Sequence, residues 1–249
     1  VGSLPRSKEL SEFLFAKDKG EKFSQSSFDK VLKNNVASVV KRQLDVGIDF
    51  VSDGEMSKIS YATYIKDRID GFSGESERRA PADLDDFPEY KEKIAKSGGT
   101  PTYTRPCCTN ELKVKDETSL LQDINNFKNS LDKLNHRHAF MNSASPGVIN
   151  VFMPNKFYST EDEYLDKLSN IMAKEYELIT KSDIQVQLDC PDLALARHMN
   201  FKNLSEDEFI KRAELQIECL NSALSNVDVE QTRMHICWGN YEGPHTHDI

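Results

Sequence analysis

Apolar residues recur at helical spacing in long stretches of the chain and gather in short runs between them. Phe28, Val31, Leu32, Val36, Val39, Val40 and Leu44 fall on one face of a helix, and Gly47 supplies its stop. Ile48 to Ser52 then reads as a short buried strand that ends in Asp53-Gly54-Glu55. Lys58 to Ile69 predicts a second helix, with Tyr61, Ile65 and Ile69 on one face. Leu120 to Leu134 is amphipathic again, His138 to Ser143 is a strand, and Ser143 to Gly147 its exit loop. Thr160 and Glu163 have the spacing of a capping box, which opens a helix through Ile179 with Leu165, Leu168, Ile171 and Met172 inward. Ile184 to Leu188 is a strand that closes in Asp189-Cys190-Pro191. Ser205 and Glu208 open another helix to about Leu224, and Met234 to Cys237 is the strand after it. At the front, Val1 to Arg6 reads as a strand end and a turn, with Pro5 blocking further regular structure.

Strand, polar turn, helix, strand: repeated, this order implies a parallel sheet of about five strands. The sheet is either open and doubly wound or a closed β/α barrel. No G-x-G-x-x-G follows the first strand, which weakens a nucleotide-binding version. Polar residues cluster where strands end: Ser3, Asp53 with Glu55, Ser143 with Ser145, Asp189, and His235 with Cys237. In a barrel those ends converge on one mouth, where active sites sit. From Ser73 to Asp116 the periodicity fails, among Pro81, Pro88, Pro101, Pro106 and Gly98-Gly99. That stretch, 73–116, is expected to be an excursion from one domain spanning 1–249. A short helix near Tyr90 to Ala95 and a hairpin near Thr102 to Val114 would fit it, as a lid or a surface insertion.

Composition narrows the function classes. Of 249 residues, 38% are hydrophobic and 29% charged, and the formal net charge of -9 argues against a nucleic-acid groove. A small anion could still be held by Arg6 or Lys58. No apolar run approaches the roughly 18 residues that cross a bilayer, so no membrane partner is expected. No secretory signal opens the chain, although it begins at Val1 and leading residues are expected to be missing. Five cysteines at low density fit a reducing cytoplasm better than a disulfide framework. Cys107-Cys108 read as incidental loop residues, Cys219 as core, and Cys190 as either.

The chemistry concentrates at the last strand. Side chains alternate along it, so His235 and Cys237 share a face while Met234, Ile236 and Trp238 take the other. An imidazole and a thiol at that spacing can share one soft metal ion, most plausibly zinc. The same pair also fits a buried strand that merely contains a histidine and a cysteine. The loop beyond, 241–248, carries Glu242, His245 and His247, candidate proton carriers and, for His245 and His247, candidate catalytic residues.

The motifs Val1-Gly2-Ser3-Leu4-Pro5, Gln43 to Glu55, Gln187-Leu188-Asp189-Cys190-Pro191 and His235-Ile236-Cys237 together resemble the catalytic domain of cobalamin-independent methionine synthase and its single-domain relatives. The resemblance implies an eight-stranded β/α barrel, incomplete in this chain, with zinc in its mouth and His235 and Cys237 as two ligands. The family's remaining ligands, a Glu of the sixth strand and a Cys of the eighth, would lie beyond Ile249. It also implies that Ser3, Glu55 and Asp189 bind the amino-acid end of a thiol substrate. A solvated turn residue is the alternative for Glu55 and a helix N-cap for Asp189. The implied reaction is transfer of a methyl group to a homocysteine-like thiol from a donor, a folate or a corrinoid carrier. Two departures mark a divergent branch: Cys190 stands where the family usually has Glu, and the continuation after Cys237 is unlike the usual one. Rival readings are a zinc enzyme that opens an epoxide with a thiol such as coenzyme M, a metal-free decarboxylase on a related barrel, and a non-catalytic thiol-binding barrel.

Overall fold

A computed structural model of the protein describes residues 2–77, 81–96, 103–115, 117–132, 138–238 and 243. In chain order the elements are α1 (Lys8–Asp18), α2 (Gln25–Asp45), β1 (Phe50–Ser52), β2 (Ile69–Ser73), α3 (Pro88–Lys96), β3 (Cys107–Val114), α4 (Thr118–Leu131), β4 (His138–Ala144), α5 (Pro146–Phe152), α6 (Glu161–Thr180), β5 (Gln185–Asp189), α7 (Leu195–Met199), α8 (Glu206–Ala223) and β6 (Thr232–His235).

Four strands form one parallel sheet in the order β1-β4-β5-β6. Register decides what each face carries, because directly paired residues of parallel strands point the same way. Val51, Met141, Val186 and Leu188 share one face and are at most 2% exposed. That face is covered by α2 on β1 and by α6 on β4 and β5, and α2, α4, α6 and α8 touch in series. Met234, on the same face of β6, is 48% exposed. The opposite face carries Phe140, Asn142, Gln187, Asp189, Arg233 and His235. The alternation of a one-sided strand is thus kept, but the second face is polar toward the strand C-termini and aromatic toward the N-termini, where Phe50 and His138 stack at 4.4 Å.

The helix starts follow local chemistry. Ser7, Ser24, Ser145, Thr160 and Ser205 each accept a hydrogen bond from a first-turn backbone N–H. At Ser205 and Glu208 the bonding is reciprocal, a full capping box.

Several expectations need correction. Residues 2–7 form no strand; Leu4 N–H donates to Gly54 O at 3.1 Å, a single tie beside β1. The stretch from Lys58 to Ile69 is not a helix but turns, a 3-10 turn at Tyr64–Asp67 and the start of β2. Ser60 Oγ accepts from the backbone N–H of Ala62 and Thr63, a local alternative to helical bonding. The hairpin of the excursion does not lie within 102–114; β3 pairs antiparallel with β2. Its register shifts between Asp70 and Phe72, at Gly71, whose φ of +105° and 2.8 Å clearance to Glu111 O admit no side chain. Cys107 and Cys108 therefore sit in a strand, buried and unbridged. Pro146 opens α5 rather than a loop, as the first residue after the Ser145 cap. Finally, β6 runs from Thr232 to His235, two residues earlier than the apolar pattern predicts. Its last rung is Cys190 N–H to His235 O at 2.9 Å; Pro191 then turns the partner chain away.

Candidate functional site

The site is built first at the end of β1. Gln43 on α2 grips Ser52 through both backbone groups: Ser52 N–H donates to its Oε1 at 3.0 Å, and its Nε2 donates to Ser52 O at 2.8 Å. Ser52 Oγ accepts from Gly54 N–H and Asp53 Oδ1 from Glu55 N–H. Gly54 has φ +65°, and a Cβ there would lie 3.0–3.3 Å from Met56, Leu4 and Val39, so glycine is required twice over. Glu55 follows at φ +55°, uncommon for a residue with a side chain. The result is a tight, strained turn that buries the Glu55 carboxylate, 2% exposed, instead of leaving it in solvent. Ser3 Oγ donates to Glu55 Oε2 at 3.4 Å, and Arg6 donates to Ser3 Oγ, Glu55 O and Lys58 O. Glu55 Oε1 has no hydrogen-bond partner among the described residues.

Asp189 ends β5 and is 4% exposed. It caps no helix: Asn142 Nδ2 donates to both its oxygens, at 3.1 and 2.9 Å, and Gln187 Nε2 donates to Oδ1 at 3.0 Å. Lys58, also buried, donates to Asn142 O and lies 4.2 Å from the centre of the Tyr64 ring. Burial pushes the Glu55 carboxyl up to about 7; Asp189 and Asp53 add to the rise, and Lys58 and Arg6 oppose it. Burial likewise raises Asp53 and lowers Arg6. Negative charge is crowded here, and the cations present do not fully offset it.

His235 pairs with Asp189 across the sheet and so shares its face. Exposure alternates past the end of β6: Met234 and Ile236 are 48% and 53% exposed, while His235 and Cys237 are half-buried. Leu195 N–H donates to Cys237 O at 3.3 Å. Tyr61 lies within electrostatic reach of both Cys237 and Asp189, and burial raises its hydroxyl above the usual range. Its ring meets Phe152 edge-on at 5.6 Å, beside a cleft of about 160 Å³ flanked by Arg105, Phe152, Met199 and Phe201. His235 and Cys237 put an imidazole and a thiol at alternate positions of one strand end, donor types that a thiophilic metal takes. Among the described residues no group of three or more His, Cys, Asp or Glu is placed to hold a metal. His245 and His247 lie outside the described residues.

Next to this site sits a second buried charge cluster of different character. Arg68 bridges Glu175 and Asp123, each at 2.6 Å. Tyr64 OH and Ser143 Oγ donate to Glu175 Oε1, and Ser57 Oγ donates to Asp123 at 2.8 Å. Burial alone would raise the Glu175 carboxyl, but Arg68, Lys58 and the two hydroxyls outweigh it and hold it below the ordinary range.

No family model matches the chain. Two curated archaeal proteins match 97% of it: "Methionine synthase" of Sulfolobus acidocaldarius at 24% identity over 242 residues and that of Thermococcus kodakarensis at 23%. The structure of a B12-independent methionine synthase from a Shewanella species, in complex with selenomethionine, superposes over 96% of the chain with a TM-score of 0.66 and 18% identity. A putative vitamin-B12-independent methionine synthase from Listeria monocytogenes gives a TM-score of 0.64, covering 97% of the chain at 15% identity. The chain is thus similar, over nearly its whole length, to proteins named methionine synthase and to B12-independent methionine synthase structures. It spans about three fifths of their length, 61% of both archaeal proteins and 60% of the Shewanella chain. It shares their β/α-barrel fold, with the barrel left open among the described residues.

At this site, sequence reasoning assigned no role to Asn142, Gln187 or Tyr61. Asn142 and Gln187 carried a readable signal: each is a polar residue next to buried apolar ones inside a strand, Asn142 after Phe140-Met141 and Gln187 between Val186 and Leu188. Tyr61 carried none, since its spacing to Ile65 and Ile69 imitates a helix.

Proposed function

We propose that the protein to which this chain belongs transfers a methyl group to a homocysteine-like amino thiol, and that the chain supplies the amino-acid pocket and two metal ligands. The observation that carries this reading is Glu55: a buried carboxylate with one oxygen unpartnered among the described residues, pushed up to about 7 by burial and by the nearby charges of Asp189 and Asp53. Such a group is costly to ionise until a cation arrives. An α-ammonium is that cation, and Ser3, exposed beside Glu55, is placed to hold the α-carboxylate with nearby backbone N–H groups. Asn142 and Gln187 hold Asp189 in position to accept the ammonium's remaining protons. His235 and Cys237 would hold zinc, with the remaining ligands from outside the described residues. When bound, zinc would keep the substrate sulfur as thiolate at neutral pH. The sulfur lone pair then forms the S–CH₃ bond as the methyl's bond to the donor breaks, and the donor, a folate or a corrinoid, leaves with that electron pair. Tyr61 and Phe152 wall the approach and keep water from the sulfur.

The test is made on the full-length protein. Glu55→Gln should weaken homocysteine binding at least about tenfold, the loss of a charge-assisted contact, and leave zinc content unchanged. Cys237→Ser should lose zinc and thiol methylation together. A Cys237→Ser protein with full zinc and activity, or a Glu55→Gln protein with unchanged affinity, would overturn the reading.

A further inference from the structure

Asp83 and His198 form a buried carboxylate–imidazole contact away from the proposed substrate pocket. Both side chains are 0% exposed, and Asp83 Oδ2 lies 2.5 Å from His198 Nδ1. Asp83 belongs to the 3-10 turn Ala82–Asp86, inside the excursion that breaks the β/α pattern. His198 belongs to α7, just after β5. On its other side the His198 ring lies 4.6 Å from the indole of Trp238, tilted by 41°. Trp238 immediately follows Cys237.

Thus α7 meets the chain beyond β6 twice, through Leu195 N–H to Cys237 O and through His198 against Trp238. The sheet's last rung is at His235 O, so these two contacts guide the chain across Cys237. A second tie, Lys202 to Asp85 at 3.0 Å, fastens the same turn of the excursion to the segment after α7. A histidine and a cysteine two residues apart share one ion only while the strand geometry between them persists, because a single peptide rotation would swing the thiol away.

We propose that Asp83 is a positioning residue: through His198 and Trp238 it fixes the course of the chain past His235 and keeps the Cys237 thiol beside the imidazole for a thiophilic divalent cation. The excursion is then part of the metal site's support. This rests on the reading that His235 and Cys237 share a metal. Carboxylate–imidazole pairs behind metal ligands act in this way elsewhere, by fixing ring orientation; here the oriented ring supports the ligand strand.

The full-length protein, stripped of metal and titrated with cobalt(II), tests this. The thiolate-to-cobalt absorption band reports Cys237 ligation. The emission of Trp238, isolated by difference from Trp238→Phe, reports the ring contact without any metal. Asp83→Ala should weaken cobalt binding about tenfold and shift Trp238 emission in the metal-free protein. Asp83→Asn, which keeps the shape and one hydrogen bond, should recover most of both; it decides the matter if the alanine variant does not fold. Leu10→Ala, which opens a cavity in the core between α1 and α2, should lower the melting temperature and leave cobalt affinity and Trp238 emission unchanged. Wild-type cobalt affinity in Asp83→Ala, or an equal loss in Leu10→Ala, overturns the proposal while the metal reading stands. A wild-type protein whose cobalt spectrum shows no band lost in Cys237→Ser overturns both.

Discussion

Two clusters of buried charge lie side by side under the strand ends, and they are finished differently. Around Arg68, two carboxylates meet one guanidinium and three hydroxyls, and Glu175 is held below the usual carboxylate range. Around Glu55, three acids, Asp53, Glu55 and Asp189, crowd against Lys58 and Arg6, which spend their hydrogen bonds on backbone carbonyls and on Ser3. Glu55 is pushed up instead of down, and one of its oxygens has no partner among the described residues. The carboxylates are buried in both places; completeness differs. A cluster that closes on itself fastens the sheet to its helices, whereas one left short of positive charge is suited to receive it, as the proposed function requires.

The comparison breaks most sharply at Arg68. Arg68→Met leaves Glu175 and Asp123 buried without their cation, and urea unfolding at pH 7 should show a loss of about 3–5 kcal/mol. A variant as stable as wild type would mean that the cluster is not held by its charges. The opposite sign is expected at Glu55. The folded protein keeps the Glu55 proton up to about pH 7, while the unfolded chain releases it near the ordinary 4.5. Between those values the folded state binds more protons, so wild-type stability falls as pH rises through the window. Glu55→Gln should therefore be no more stable than wild type near pH 4 and more stable above pH 7, by about 2–3 kcal/mol. A gain of the same size at every pH would point to packing instead. The smallest effect is at Ser3. Ser3→Ala should change stability by less than about 0.5 kcal/mol and weaken amino-thiol affinity about fivefold by calorimetry, which would separate a ligand contact from a structural one.

Legibility followed locality. Capping chemistry is decided within four residues: Ser205 and Glu208 form the box their spacing suggests, while at Thr160 only half of it forms, since Glu163 accepts from Ser159 N–H instead of Thr160 N–H. The strand at Gln185–Asp189 was visible because its length and flanking Pro191 are local too. Failures came where a distant partner decides. Ile69 sits in a strand because Val114 of β3, 45 positions later, returns to pair with it, which its helical spacing to Tyr61 and Ile65 conceals. The boundary of β6 depends on where Pro191 diverts its neighbour. At the site, the polar ends of strands were readable as candidates, and the family resemblance named Ser3, Glu55, Asp189, His235 and Cys237. Neither reading could supply the depth of Glu55, which depends on a left-handed turn clamped by Gln43 from another element.

The half-titrated state of Glu55 has a further consequence. A carboxyl near pH 7 is protonated in about half the free molecules at neutrality. A cation that docks against it must expel that proton. Docking is then an exchange of one positive charge for another, and hydrogen ions compete with the incoming molecule for the same oxygen. Below neutrality each unit of acidification would cost such a molecule up to about tenfold in occupancy at low concentration. The pocket, without any dedicated sensor, would register the acidity of its surroundings as substrate scarcity.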